Sequence, residues 1–227
     1  MKKNIFLALD FNSLDRAMEV TDLTKDYLAG IKIGLELYSV IGLEGIKKFE
    51  TFNLPIFLDT KIFDISNQVS KTINVIKKNK SIKYFTIHAL GSSEMLIAAQ
   101  NSAKGSDLEF LAVSILTSWN EKDLKKIGIT NSIKDQVRIL IKLAHEAKLS
   151  GIIASAQDIG LAREISKDIK IFCPGIREDG KTQDQKRTLS YKEFNDVADD
   201  KCFAVIGRPI YEGNPLENIK KIINTAE

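Results

Sequence analysis

Three charges fall within six residues in the stretch Asp59-Thr60-Lys61-Ile62-Phe63-Asp64, directly after the apolar run Pro55-Ile56-Phe57-Leu58. On a strand running from Ile56 to Lys61, successive side chains alternate faces, so Asp59 and Lys61 project to the same side and can touch. Asp64 then lies just past the strand end. Carboxylates and an ammonium that meet at such a point shift one another's proton affinities, which is the mark of acid–base and electrostatic catalysis. A second lysine, Lys32, interrupts the apolar sequence Gly30-Ile31-Lys32-Ile33-Gly34, and Asp10 closes the apolar run Ile5 to Leu9. Asp10 reads equally well as a helix cap. Asp64 has a similar alternative as an N-cap, with Asn67 or Gln68 completing a loose capping box.

A second chemistry is written later in the chain. Gly175 and the loop to Arg187 offer backbone donors and two arginines, Arg177 and Arg187, and Gly207-Arg208 follows the apolar run Phe203 to Ile206. Arginine forks match phosphate oxygens, so these segments point to a phosphate ligand. No P-loop sequence accompanies them, and a nucleoside triphosphate is not indicated. His88 and His145 read as structural residues. Cys173 and Cys202 lie at or beside apolar runs without metal-ligand spacing, as buried thiols do in a reducing compartment.

The elements that must hold these residues alternate strictly. Short β-rich runs at Ile5 to Leu9, Gly30 to Gly34, Pro55 to Asp59, Lys83 to His88, Glu109 to Ser114, Gly151 to Ala154, Ile169 to Cys173 and Phe203 to Ile206 are separated by longer segments, most with helical spacing. The helical segments are expected around Ser13 to Leu28, Leu43 to Phe52, Ile65 to Lys78, Ser92 to Ala103, Ile133 to Lys148, Asp158 to Ser166 and Pro215 to Ala226. Eight such units at about 25 residues each predict a (β/α)8 TIM barrel, whose chemistry sits on the loops after the strand C-termini. A doubly wound sheet is the competing architecture. It usually carries a glycine-rich turn after the first strand, and here that turn reads Asp10-Phe11-Asn12-Ser13. No composition shift breaks the alternation, so residues 1–227 are expected to form a single catalytic domain.

Composition excludes several classes. Hydrophobic residues make up 44% and charged residues 28%, which is ordinary for a folded soluble chain. The net charge of +3, from 33 basic and 30 acidic residues, is too small an excess to argue for nucleic acid. No stretch has the length or apolarity of a membrane span, and the run Ile5 to Leu9 is too short for a signal-peptide core. A cytoplasmic protein is expected.

Seven segments in order carry a family resemblance: Ala8-Leu9-Asp10, Ile31-Lys32-Ile33-Gly34, Asp59-Thr60-Lys61-Ile62-Phe63-Asp64-Ile65, Leu116-Thr117-Ser118, Pro174-Gly175-Ile176-Arg177, Asp184-Gln185-Lys186-Arg187 and Val205-Ile206-Gly207-Arg208-Pro209. Together the chain resembles the orotidine 5'-phosphate decarboxylases, with Asp-x-Lys-x-x-Asp as the signature. The resemblance implies decarboxylation of orotidine 5'-monophosphate to uridine 5'-monophosphate, the last step of de novo pyrimidine synthesis, with no metal or organic cofactor. It implies that Lys61 donates the proton and that Lys32, Asp59, Lys61 and Asp64 form an alternating charge network. Asp64 would come from the neighbouring subunit of a homodimer. Asp10, Lys32 and Asp59 would contact the nucleotide, Thr117 and Ser118 would lie by the pyrimidine, and Arg177, Gln185, Gly207 and Arg208 would hold the phosphate. Gln185 would arrive on a closing loop.

The chain departs from the family pattern at a few points. Gln68 replaces a threonine that reaches the neighbouring active site, and an amide can take over its hydrogen bonding. Phe63 stands where a histidine is frequent, and Leu90 interrupts the usual His-Ala-Ser-Gly. A related group, the 3-keto-gulonate 6-phosphate decarboxylases and hexulose-phosphate synthases, shares the signature but binds Mg²⁺ and has a glutamate at the position of Lys32. A protonated lysine repels a divalent ion, which places this sequence on the metal-free side. A phosphate-binding scaffold without catalysis is the other alternative, and it gives no reason to bring four charges together at a cost of several kcal/mol per poorly paired ion.

Overall fold

The computed structural model describes residues 3–177 and 188–225. Strands β1 (Ile5–Leu9), β2 (Gly30–Gly34), β3 (Ile56–Ile62), β4 (Ile82–His88), β5 (Glu109–Val113), β6 (Gly151–Ile153), β7 (Lys170–Pro174) and β8 (Cys202–Ile206) pair in parallel in sequence order, and β8 returns to β1. The expected eight-stranded closed barrel is observed. Helices α1 (Leu14–Thr24), α2 (Leu35–Ile46), α3 (Ser66–Ile76), α4 (Ser93–Ser102), α5 (Glu121–Lys126), α6 (Ile133–Glu146), α7 (Ile159–Ile165), α8 (Tyr191–Val197), α9 (Arg208–Tyr211) and α10 (Pro215–Asn224) lie between and after the strands.

Strand periodicity sorts the core into two compartments. Leu7, Leu9, Ile31, Ile33, Leu58, Phe85, Ile87, Phe110 and Ile171 point outward and pack with the helices. Phe6, Ala8, Phe57, Tyr84, Leu111, Phe172 and Val205 point into the lumen. The lumen is filled by rings, with Phe6 and Phe172 5.0 Å apart edge to face and Phe172 stacked on Phe203 at 4.8 Å. Such pairs contribute about 0.5–1.5 kcal/mol each beyond their burial. Both cysteines are buried free thiols. Among the described residues no helix is long and apolar enough to cross a membrane.

Some helices differ from the periodicity reading. The helix after β2 begins at Leu35 rather than near Leu43, and its two halves meet at Gly42, whose φ of 56° breaks the helix between them. Over Leu35 to Ile41 the exposed positions mix Glu36 and Ser39 with apolar Leu35 and Val40, so the polar face that would mark a helix is blurred. Helix α5 lies between β5 and the helix expected from Ile133, where no helical segment is expected. It is six residues long with one buried residue, Leu124, and is set by a capping box between Asn120 and Asp123.

At the N-terminal end of the barrel Glu109 pairs with Lys83 and Lys170, and the Lys170 ammonium lies 5.3 Å from the centre of the Tyr84 ring. Burial alone would raise the Glu109 carboxyl pKa, but hydrogen bonds and charge from the two lysines hold it below the ordinary 4.5. A carboxylate with a lowered folded pKa contributes stability that is present above the unfolded value and lost as pH falls through the folded one. Glu109→Gln is therefore expected to cost about 1–2 kcal/mol at neutral pH, a melting-temperature drop of roughly 2–8 °C in a chain of this size. Thermal melts from pH 7 downward should show the gap to wild type closing below about pH 4.5.

Candidate active site

The expected cluster assembles where the strands end. Lys32, on β2, reaches up the lumen so that its Nζ lies 3.0 Å from Asp10 Oδ1 and 3.7 Å from Asp59 Oδ2. Lys61 Nζ lies 2.9 Å from Asp59 Oδ1. Asp10, Lys32, Asp59 and Lys61 thus form an array of alternating sign. Gly34 makes room for it, since a Cβ there would sit 2.9 Å from Lys32 Nζ and 3.2 Å from Asp10 Oδ1. Asp10 does not cap α1, a task that falls to Ser13.

Burial would push the Lys32 ammonium pKa down, yet the charges of Asp59 and Asp10 outweigh it and hold it above the ordinary lysine value. Burial would likewise raise the Asp59 carboxyl, but Lys32, Lys61 and a hydrogen bond from Thr86 keep it below the ordinary range. Both groups therefore stay ionised at neutral pH. His88 is half-buried, and burial together with the charge of Lys61 lowers its pKa, so it is neutral. Its Nδ1 accepts the Leu90 N–H at 3.3 Å, a structural role.

Asp59 and Lys61 meet, but not by the simple alternation of a regular strand. The pairing of β3 with β4 slips between Leu58 and Ile62, and Lys61 takes a left-handed backbone with φ of 52°. That conformation costs a non-glycine residue roughly 1–2 kcal/mol. Thr86 on β4 spans the irregularity, donating its hydroxyl to Asp59 Oδ1 at 3.1 Å and accepting the Lys61 N–H at 2.8 Å. Sequence reasoning passed over Thr86. The signal was a hydroxyl at an inward-facing position between the buried residues Phe85 and Ile87.

These groups face a cavity of about 390 Å³ at the C-terminal mouth of the barrel. Pockets for small molecules typically hold roughly 300–1,000 Å³. Asp10, Lys32, Asp59, Lys61, Thr117, Ser118, Arg177, Gly207 and Arg208 all line it, together with apolar Phe57, Val113 and Ile153. Ser114 is spent on structure, its hydroxyl donating to the Ile153 carbonyl at 2.9 Å. After β7 the backbone is clasped, with Leu189 N–H donating to Gly175 and Arg177 N–H donating to Leu189. This fixes the backbone at Arg177. Gln185 and Arg187 lie outside the described residues.

Asp64 and Gln68 do not line this cavity. Asp64 is exposed between Phe63 and Ile65, themselves 63% and 68% exposed, and its Oδ1 accepts the Ile65 N–H at 2.7 Å. The N-cap of α3 is Ile65, so Asp64 does not serve as one. Among the described residues no ion pair joins Asp64 to Lys61 within the chain. Gln68 is exposed in the first turn of α3.

The model of the orotidine 5'-phosphate decarboxylase / HUMPS family matches residues 3–222. The chain belongs to this family. An orotidine 5'-phosphate decarboxylase from Ehrlichia chaffeensis is 38% identical over 222 residues, covering 96% of this chain and 95% of that one. One from Wolbachia pipientis is 37% identical over 224 residues, with 97% of each chain covered. Among solved structures, an orotidine 5'-phosphate decarboxylase from Lactobacillus acidophilus superimposes with a TM-score of 0.82 at 26% identity over the full length of both chains. The orotidine 5'-monophosphate decarboxylase of Methanocaldococcus jannaschii, complexed with the inhibitor BMP, has the same fold with a TM-score of 0.81 at 22% identity, covering 100% of both chains. Within the orotidine 5'-phosphate decarboxylase / HUMPS family, then, this chain places lysine at position 32 and an alternating charge array at the strand ends.

Proposed function

We propose that this chain decarboxylates orotidine 5'-monophosphate to uridine 5'-monophosphate and CO2, the final step of de novo pyrimidine synthesis, as one catalytic domain over residues 1–227 with no metal or organic cofactor. The observation that carries the reading is the Asp10, Lys32, Asp59 and Lys61 array in one cavity with Arg177 and Arg208. Family membership and relatives bearing that enzyme's name support it.

Cleavage of the bond between the pyrimidine ring and its carboxylate releases CO2 and leaves the electron pair on a ring carbon with no adjacent carbonyl to accept it. The Lys61 ammonium stabilises that charge and then transfers a proton to the carbon, and the neutral amine regains a proton from water. One preorganised donor supplies only about 3–4 kcal/mol of the roughly 8–23 that enzymatic rate enhancements represent, so several groups act together. Asp59 and Lys32, both held ionised, keep the Lys61 head group in place. Asp10 and Lys32 hold the ribose, Thr117 and Ser118 contact the pyrimidine, and Arg177, Gln185, Gly207 and Arg208 bind the phosphate.

The active unit in this reading is a cytoplasmic homodimer in which Asp64 and Gln68 reach the neighbouring site. Support comes from their absence from the cavity of their own chain and from the exposed apolar residues, Phe63 and Ile65, that flank Asp64.

The family description also covers sugar-phosphate enzymes, and the metal-dependent alternative is weighed on position 32. Asp10 and Asp59, which would be free to hold a divalent ion, are both engaged by the Lys32 ammonium. The test is the loss of orotate absorbance when the purified protein meets orotidine 5'-monophosphate, with and without EDTA. Turnover indifferent to chelation is expected. A flat trace with tight nucleotide binding would favour the scaffold, and activity removed by EDTA and restored by Mg²⁺ would favour the sugar-phosphate group.

A further inference from the structure

We propose that Thr86 is a positioning residue for the decarboxylation, setting both the carboxylate of Asp59 and the backbone of Lys61 through one hydroxyl. The inference rests on the decarboxylase reading above. Leu58 pairs with Phe85 and Ile62 with Ile87, so Asp59, Thr60 and Lys61 together stand opposite Thr86 alone. Three residues facing one cannot all satisfy the ladder with strand carbonyls and amides. Here the Thr86 side chain fills the gap.

The direction of its two hydrogen bonds follows from chemistry. The Lys61 N–H, 2.8 Å from Thr86 Oγ1, can only donate. The hydroxyl proton is therefore turned toward Asp59 Oδ1 at 3.1 Å, an oxygen that also takes the Lys61 ammonium at 2.9 Å. Asp59 Oδ2 is left to face Lys32. One fully buried hydroxyl thus fixes the orientation of the carboxylate that holds the Lys61 head group, and at the same time supports the left-handed backbone from which that side chain springs. Without it, both ends of the Lys61 side chain lose a constraint.

The test compares Thr86→Val, which keeps the branched shape and removes the hydroxyl, with Thr86→Ser, which keeps the hydroxyl and removes a methyl. Thr86→Val is expected to lower kcat by about 10- to 100-fold, since displacing a reacting group by around 1 Å has that effect. KM for orotidine 5'-monophosphate and affinity for uridine 5'-monophosphate should stay near wild type, because the phosphate and ribose contacts are untouched. Thr86→Ser should restore most of kcat. If Thr86→Val is insoluble, Thr86→Ala supports the same comparison. Unchanged kcat in the hydroxyl-free variant, or an equal loss in Thr86→Ser, overturns the proposal. A crystal structure of Thr86→Val tests it without reference to activity: Lys61 should leave the left-handed region, and an unchanged Lys61 on Asp59 overturns the proposal. An inactive wild type would instead sink the decarboxylase reading.

Discussion

Lys61→Ala is expected to lower kcat for orotidine 5'-monophosphate by at least about 10⁴-fold, since it removes the group proposed both to donate the proton and to face the developing charge. The fold should survive. Lys61 lies at a strand end with a third of its side chain exposed, and its removal leaves Asp59 still paired with Lys32 and Thr86. Uridine 5'-monophosphate should still bind, measured by calorimetry, because the proposed phosphate ligands Arg177 and Arg208 are unchanged. Retained turnover would take Lys61 out of its role. The same variant tests the dimer. Each site is proposed to combine Lys61 of one chain with Asp64 of the other, so mixing Lys61→Ala with an inactive Asp64→Asn gives hybrid dimers in which one site carries both native residues. Random exchange should recover about a quarter of wild-type activity. No recovery after verified exchange would place Asp64 in some other role.

The second large effect concerns the phosphate, remote from the bond that breaks. Orotidine, which lacks it, is expected to react with a kcat/KM lower by about 10²- to 10⁴-fold. The two charge-assisted contacts proposed for Arg177 and Arg208, at about 1.5–3 kcal/mol each, come to about 3–6 kcal/mol, and each 1.36 kcal/mol is tenfold in rate. Binding energy from a remote group raises the rate when it holds the reactive form in place. A cycle sharpens the test: Arg208→Ala should slow the phosphorylated substrate strongly and orotidine hardly at all. If both substrates suffered equally, Arg208 would be supporting structure rather than the phosphate.

The barrel was legible because its strands are short, mostly apolar runs set apart by longer segments. Asp10, Lys32, Asp59 and Lys61 stand out as charges within or directly after those apolar runs. Not every short helix was legible: α7, of seven residues, stands where a helix is expected, whereas α5 and α8, of six and seven, were missed although each carries a capping box. Two features of the site needed the third dimension. The left-handed turn at Lys61 follows from a slip in register between two strands, which no single strand's sequence contains. Thr86 reads as an ordinary β-branched strand residue until Asp59 and Lys61 are seen on either side of its hydroxyl.

The rings that fill the lumen bear on traffic. Phe6, Phe57, Tyr84 and Phe172, none more than 8% exposed, close the barrel beneath the charged array, and the Glu109 and Lys170 pair closes it again below. The site is a blind well. The described residues show no second opening, so in the proposed reaction CO2 departs past the pyrimidine through the mouth by which the nucleotide enters. Entry and exit share one gate, and whatever narrows that mouth slows the departure of both products along with the arrival of substrate.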